Sequence, residues 1–214
     1  MIIAKIPRIL SRTFKSLTWS IPAEDKLVYL TFDDGPTPEV TEWVLEILEK
    51  YDARATFFCL GRNVEKHPDL YQQILDEGHA TGNHSYSHLK GFGTSTDEYV
   101  EDVRKCSEFI DSNLFRPPYG RILPKQVKRL ARNYTIVMWS VLSVDYNARL
   151  SGEQVVKNVT ENVKPGSIIV FHDSIKASQN LYYALPKVLS YLKEHGYTMH
   201  PISLVKSSAQ VSIT

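Results

Sequence analysis

Short apolar runs recur along the chain at Leu27 to Phe32, Ala55 to Leu60, Ala80 to Gly82, Leu114 to Arg116, Tyr134 to Trp139, Ser167 to Phe171 and Tyr197 to Ile202. Each has the length and residue types of a buried strand. Helical periodicity fills the gaps. In Pro38 to Lys50, residues Val40, Trp43, Val44, Ile47 and Leu48 recur along one helix face. Pro68 to Glu77 has proline at its start and Gly78 just past its end, as helix termini prefer. Thr96 to Asp111, with Ser95 or Thr96 as cap, Pro124 to Arg132, Ser151 to Val163 and Gln179 to His195 complete the series, and Gly196 stops the last. Strand and helix alternate, which predicts parallel strands joined by helical crossovers, about seven such units. They either close into a barrel or form an open sheet, and the count leans to the barrel.

At 214 residues the chain fits one large domain and needs no disulfide framework to fold. The expected layout is an N-terminal extension over 1–22, a domain over 23–206 and a tail over 207–214. Met1 to Leu17 alternates basic and apolar residues. It is expected to pack on the domain, with membrane-surface attachment through Lys5, Arg8, Arg12 and Lys15 as the alternative. Its longest apolar run, Met1 to Ala4, is too short for a signal-peptide core. No stretch reaches the ~18 to 20 apolar residues of a membrane span. A net charge of +1 gives no pointer to nucleic acid. Cys59 and Cys106 are expected as free, buried thiols.

Polar residues gather where the expected strands end, the catalytic edge of a parallel α/β domain. Asp33 and Asp34 follow the first strand, Asn83, His84 and His88 the third, Arg116 and Tyr119 the fourth. Asp145 lies beyond the fifth, and His172 and Asp173 follow the sixth. Adjacent carboxylates repel and call for a cation or a proton; alone, Asp33-Asp34-Gly35-Pro36 is equally a cap and turn. His84 and His88, four apart, share one side of a helical turn, from which both imidazoles reach one metal ion. Two His and one carboxylate with open positions make a catalytic zinc site or the facial set of an iron oxygenase.

These motifs resemble the polysaccharide deacetylases of carbohydrate esterase family 4, the NodB homology domain. The resemblance runs from Leu27 to Ile202. It rests on Thr31-Phe32-Asp33-Asp34-Gly35-Pro36, His84-Ser85-Tyr86-Ser87-His88, Arg116-Pro117-Pro118-Tyr119-Gly120 and Val170-Phe171-His172, in family order. The fourth family motif departs: Leu142 stands for its first Asp and Tyr146 for its Trp, and only Asp145 is kept. In the fifth, Val170 stands where Leu is usual. The resemblance implies an α/β fold, a distorted (β/α)7 barrel of parallel strands with outer helices.

It also implies roles. Asp34, His84 and His88 would bind a divalent metal, zinc first, with cobalt or nickel as substitutes. Asp33 would be the general base and Arg116 its partner. The Tyr119 backbone N–H would face the oxyanion. His172 would be the general acid, oriented by Asp145. Tyr119, Tyr146 and Val170 would contact substrate. Asp173 is given no part beyond turn formation, and His79 and His67 are read as exposed. The activity implied is removal of N-acetyl groups from N-acetylglucosamine-containing polysaccharide or oligosaccharide, of peptidoglycan or chitin type. The rivals are an O-acetyl esterase on xylan-like polymers and a catalytically silent glycan-binding protein. The expected partner is an acetylated glycan and the expected state a monomer. The family points to the cell envelope or to secretion, although no clear signal peptide is visible.

Overall fold

The computed structural model describes Phe14 and residues 16–203. Eight strands form one sheet with every strand pairing parallel. In chain order these are β1 (Leu27–Asp33), β2 (Ala55–Cys59), β3 (Ala80–Asn83), β4 (Leu114–Phe115), β5 (Thr135–Ile136), β6 (Val141–Leu142), β7 (Ile168–His172) and β8 (Thr198–Met199). The helices are α1 (Val40–Lys50), α2 (Gly61–Lys66), α3 (Pro68–Asp76), α4 (Thr96–Cys106), α5 (Pro124–Leu130), α6 (Gly152–Thr160) and α7 (Ser178–Glu194). The spatial order is β5-β4-β3-β2-β1-β7-β6, with β8 pairing β1 beside it. This curved, incompletely closed sheet is the distorted barrel expected from the sequence. Three elements went unforeseen, the short helix α2, the two-residue strand β6 and a single 3-10 turn over Pro118–Gly120.

Strand alternation sets the interior. Val28, Leu30 and Phe32 of β1 pack outward against the helices with Phe57 of β2 and Phe171 of β7. Tyr29, Phe58, Leu114, Val137, Ile168 and Ile202 fill the inner side. Each large buried side chain contributes roughly 1.5–3 kcal/mol. Gly82 faces Phe58: a Cβ there would lie 2.5 Å from the Phe58 ring, so only glycine admits it.

The N-terminal chain spans from the residue after β5 to the residue before β7. Thr18 pairs with Val137 and Ser20 with Ser167. Thr18 N–H donates to the Ile136 carbonyl at 2.8 Å and its own carbonyl accepts from Met138 N–H at 2.7 Å. The Met1 to Leu17 packing and membrane-surface readings and the tail over 207–214 fall largely or wholly outside the described residues. Among the described residues no helix is long and apolar enough to cross a membrane. Cys59 and Cys106 are both free and buried. His79 is a correction: it is 6% exposed, and its Nδ1 accepts the Ala55 N–H at 3.1 Å. Burial pushes its pKa down to about 4, so it is a neutral core imidazole.

Candidate active site and metal centre

Parity along the strands brings the chemistry inside. Asp33 continues the inward series Tyr29 and Thr31, and His172 continues Ile168 and Val170. Register makes Asp33 and His172 direct neighbours on β1 and β7. Arg116 follows Leu114, and His84 follows Gly82, on the same inner side. A cavity of roughly 480 Å³ opens at these strand ends. Asp33, Asp34, His84, His88, Tyr119 and His172 reach it from the polar side, and Trp139, Leu142, Tyr146 and Val170 form an apolar wall. All ten residues given functional roles from the sequence lie there or brace a residue that does.

Asp34 Oδ1 lies 3.2 Å from His88 Nε2 and 3.7 Å from His84 Nε2. His84 Nδ1 is 2.8 Å from the Arg116 carbonyl, which can only accept, so Nδ1 carries the proton and Nε2 keeps its lone pair. Burial lowers the His84 pKa to about 4, which keeps the imidazole neutral. Asp34 Oδ1 is buried with no hydrogen-bond partner of good geometry. The ligand atoms of Asp34, His84 and His88 lie within 4.8 Å of one another. Burial works against ionising Asp34, but the nearby imidazoles of His88, His172 and His84 outweigh it. Its carboxyl is held well below the usual range. A converging carboxylate and two imidazoles, with an orphaned oxygen between them, fit a divalent cation.

Asp33 is held differently. Arg116, fully buried, donates from Nη1 to Asp33 Oδ1 at 2.7 Å and to Thr31 Oγ1 at 2.7 Å. Its Nε and Nη2 reach the Val137 and Met138 carbonyls, and its guanidinium lies 4.1 Å over the Phe58 ring. Burial lowers the Arg116 pKa and the Asp33 charge opposes this; a guanidinium stays cationic throughout.

His172 and Asp145 form the third unit. Nδ1 of His172 is 2.8 Å from Asp145 Oδ1, and its backbone N–H donates to Oδ2 at 2.8 Å. Burial lowers the His172 pKa, but the charge and hydrogen bond of Asp145, with Asp34 and Asp33 behind, raise it to about 9. Tyr146 meets the imidazole edge-on at 4.9 Å. Leu142 packs with Val144 and Val170, so this wall is apolar.

The backbone around the cavity is strained. Asp34, Ser85, His88, Tyr119 and Val144 all have positive φ, at 84°, 65°, 65°, 59° and 64°. Each costs about 1–3 kcal/mol and survives only where surroundings enforce it. Asp34 shows the use of that cost. Regular alternation would turn it away from Asp33, whereas the left-handed turn keeps both carboxylates on the cavity.

Three bracing residues escaped the sequence reading. Asp102 on α4 accepts from the Tyr86 and Ser87 N–H groups, both at 3.1 Å, and from Ser87 Oγ at 2.7 Å, which fixes the histidine loop. Asn63 on α2 donates to the Asp34 carbonyl at 2.8 Å. Asp173 is fully buried and accepts from Gly35 N–H at 3.0 Å and Thr41 Oγ1 at 2.7 Å. Burial, with help from the Asp34 charge, pushes the Asp173 pKa up to about 8 against the pull of Thr41.

The polysaccharide deacetylase family model matches residues 20–139. A peptidoglycan-N-acetylglucosamine deacetylase of Bacillus cereus (strain ATCC 14579) is 36% identical over 194 residues, 87% of this chain and 91% of the relative. A chitooligosaccharide deacetylase of Azorhizobium caulinodans is 32% identical over 195 residues, 82% of this chain and 92% of the relative. Among solved structures, the peptidoglycan N-acetylglucosamine deacetylase Bc1960, bound to 4-naphthalen-1-yl-N-oxidanyl-benzamide, superposes with a TM-score of 0.83. That likeness covers 91% of this chain and 94% of the solved one at 36% identity.

Proposed function

Because the chain belongs to the polysaccharide deacetylase family, we propose that it hydrolyses the N-acetyl amide of N-acetylglucosamine units in a glycan of peptidoglycan or chitin type. The observation that carries this reading is one cavity holding a metal-fitting triad, an Arg-held carboxylate and an Asp-oriented imidazole. The relatives named above act, by name, on such glycans.

Asp34, His84 and His88 would hold a divalent cation, zinc by the chemistry of the donor set. When bound, such an ion polarises the acetyl carbonyl and acidifies water toward pKa ~7. The chain's own residues do the rest. Asp33, with Oδ1 fixed by Arg116, takes the proton of the attacking water at Oδ2. The Tyr119 N–H donates to the developing oxyanion, a contribution of roughly 3–4 kcal/mol. His172, with Nδ1 held by Asp145, gives its Nε2 proton to the departing amine as the C–N bond breaks. Trp139, Leu142, Tyr146 and Val170 enclose the acetyl methyl and exclude water.

The test is acetate release from N-acetylglucosamine oligomers and from peptidoglycan by metal-stripped protein, with and without added zinc. Zinc-restored release supports the reading, and the faster substrate identifies the glycan. No release at one equivalent of bound zinc overturns it. Release only from O-acetylated xylan would assign an esterase instead.

A further inference from the structure

Asp33 and Asp34 are one peptide apart, yet they serve opposite partners. Asp33 pairs with a guanidinium, while Asp34 aims at two imidazoles. That division depends on the backbone turn at Asp34, with φ 84°. Three contacts hold the turn. Asn63 donates to the Asp34 carbonyl at 2.8 Å, Leu60 N–H donates to the Gly35 carbonyl at 2.9 Å, and Asp173 accepts from Gly35 N–H at 3.0 Å.

We infer that Asn63 and Asp173 are positioning residues which together clamp the Asp34–Gly35 turn, and thereby set metal affinity and the aim of the Asp33 base. The two grip the turn from different elements, α2 and the end of β7. Asn63 fixes the peptide after Asp34 by its oxygen, and Asp173 fixes that same peptide by its nitrogen. One amide plane is therefore held at both ends.

The fit around Asp173 is specific to this purpose. A Cβ on Gly35 would sit 1.9 Å from Asp173 Oδ2, so the glycine exists to let the carboxylate close on the backbone. The second oxygen of Asp173 takes the Thr41 hydroxyl, and that hydroxyl accepts Thr37 N–H at 2.8 Å. Asp173 thus ties the turn to the start of α1. Its own N–H donates to the Asp33 carbonyl at 3.1 Å, which adds the neighbouring residue to the same unit. A buried carboxylate that serves only packing would have no need of the peptide beside a ligand.

This inference rests on the metal-dependent deacetylase reading, but its decisive measurement does not require turnover. Metal-stripped wild type, Asn63→Ala, Asp173→Ala and Thr41→Val are titrated with zinc against a fluorescent chelator, with melting followed in parallel. Where acetate release is measurable, kcat and KM are taken as well. Outer partners of metal ligands set affinity by about 10–100-fold. Asn63→Ala, whose side chain is only partly buried, is expected to fold and to lose at least about tenfold in zinc affinity. Asp173→Ala removes both the acceptor of the Gly35 N–H and the partner of the Thr41 hydroxyl. It is expected to lose as much, with kcat falling and KM steady. Thr41→Val should show a smaller loss of the same kind. Folded variants that melt lower yet bind zinc and turn over like wild type would show a purely structural role and overturn the inference. A wild type that binds zinc but releases no acetate defeats the deacetylase reading alone, and the zinc titration still decides this one.

Discussion

The His172 imidazole and the Asp145 carboxylate are joined twice, ring Nδ1 to Oδ1 and backbone N–H to Oδ2, each at 2.8 Å. The double contact fixes both the tautomer and the ring orientation and leaves Nε2 turned to the cavity, where the proposed reaction would use its proton. A folded pKa of about 9 exceeds the unfolded value of ~6.5. The stability from this pair is therefore complete below pH ~6.5 and is lost as pH rises through about 9. Metal-free wild type should show a falling melting temperature across that window, and Asp145→Asn should show a flatter profile. In the zinc enzyme the activity should fall on the basic side as His172 deprotonates. A bound cation lowers that limb, and Asp145→Asn should lower it by at least about one further pH unit. Profiles of kcat for the two proteins check the order; coincident basic limbs would refute the general-acid role.

Arg116 carries the sole cationic charge at Asp33 within bonding distance among the described contacts. Removing it leaves a buried carboxylate uncompensated, at a cost of about 3–5 kcal/mol. Arg116→Met should therefore melt well below wild type. Asp33→Asn also takes the counter-charge from a buried ion, but Arg116 keeps Thr31 Oγ1 and the Val137 and Met138 carbonyls, so this variant should be destabilised less, bind zinc and lose about 10²–10⁴ in kcat. Chemical denaturation and steady-state kinetics separate the two outcomes.

Zinc should stabilise the protein by mass action, by about 2.7 kcal/mol at a hundredfold excess over Kd. His84→Gln should abolish most of that gain, because its Nε2 lone pair is the one left free by the Arg116 carbonyl. Melting curves with and without zinc measure this directly. A full shift in the variant would remove His84 from the ligand set.

Leu142, which by motif resemblance stands for the first Asp of the fourth family motif, is 8% exposed among Val144 and Val170. Leu142→Asp restores the family residue, but buries a charge in an apolar wall. We expect a loss of about 2–4 kcal/mol in stability and weaker acetate release. A variant as stable as wild type and more active would mean that this wall tolerates the family's acid after all.

Much of the site was legible in the sequence because strand-end residues advertise themselves. Asp33, Arg116 and His172 each follow an apolar run, and parity of the strand then carries them inward. His84 and His88 carry their own spacing. What stayed hidden lies in the residues that hold these groups. Asn63 sits on α2, a helix of six residues with Val64 as its single buried apolar side chain, too short for periodicity to register. Asp102 lies on α4, and its partners Tyr86 and Ser87 are some fifteen positions back along the chain, so local pattern does not mark it. Asp173 looked like a turn residue, and its burial arises from Thr41 and Gly35, more than a hundred positions away. His79 was misjudged for the same reason: its partner is a backbone N–H on a neighbouring strand.

The pairing of Thr18 with Val137 and of Ser20 with Ser167 gives the domain an unusual seam. The other joins in the sheet are made between the named strands, whereas this one is stitched by chain that enters before β1. Arg116 donates to the Val137 and Met138 carbonyls, the residues that the stitch secures. The thread that bridges the wall therefore also holds the backbone on which the Arg116 guanidinium leans. A graft that kept only the βα units would carry over the reactive groups and leave their footing loose.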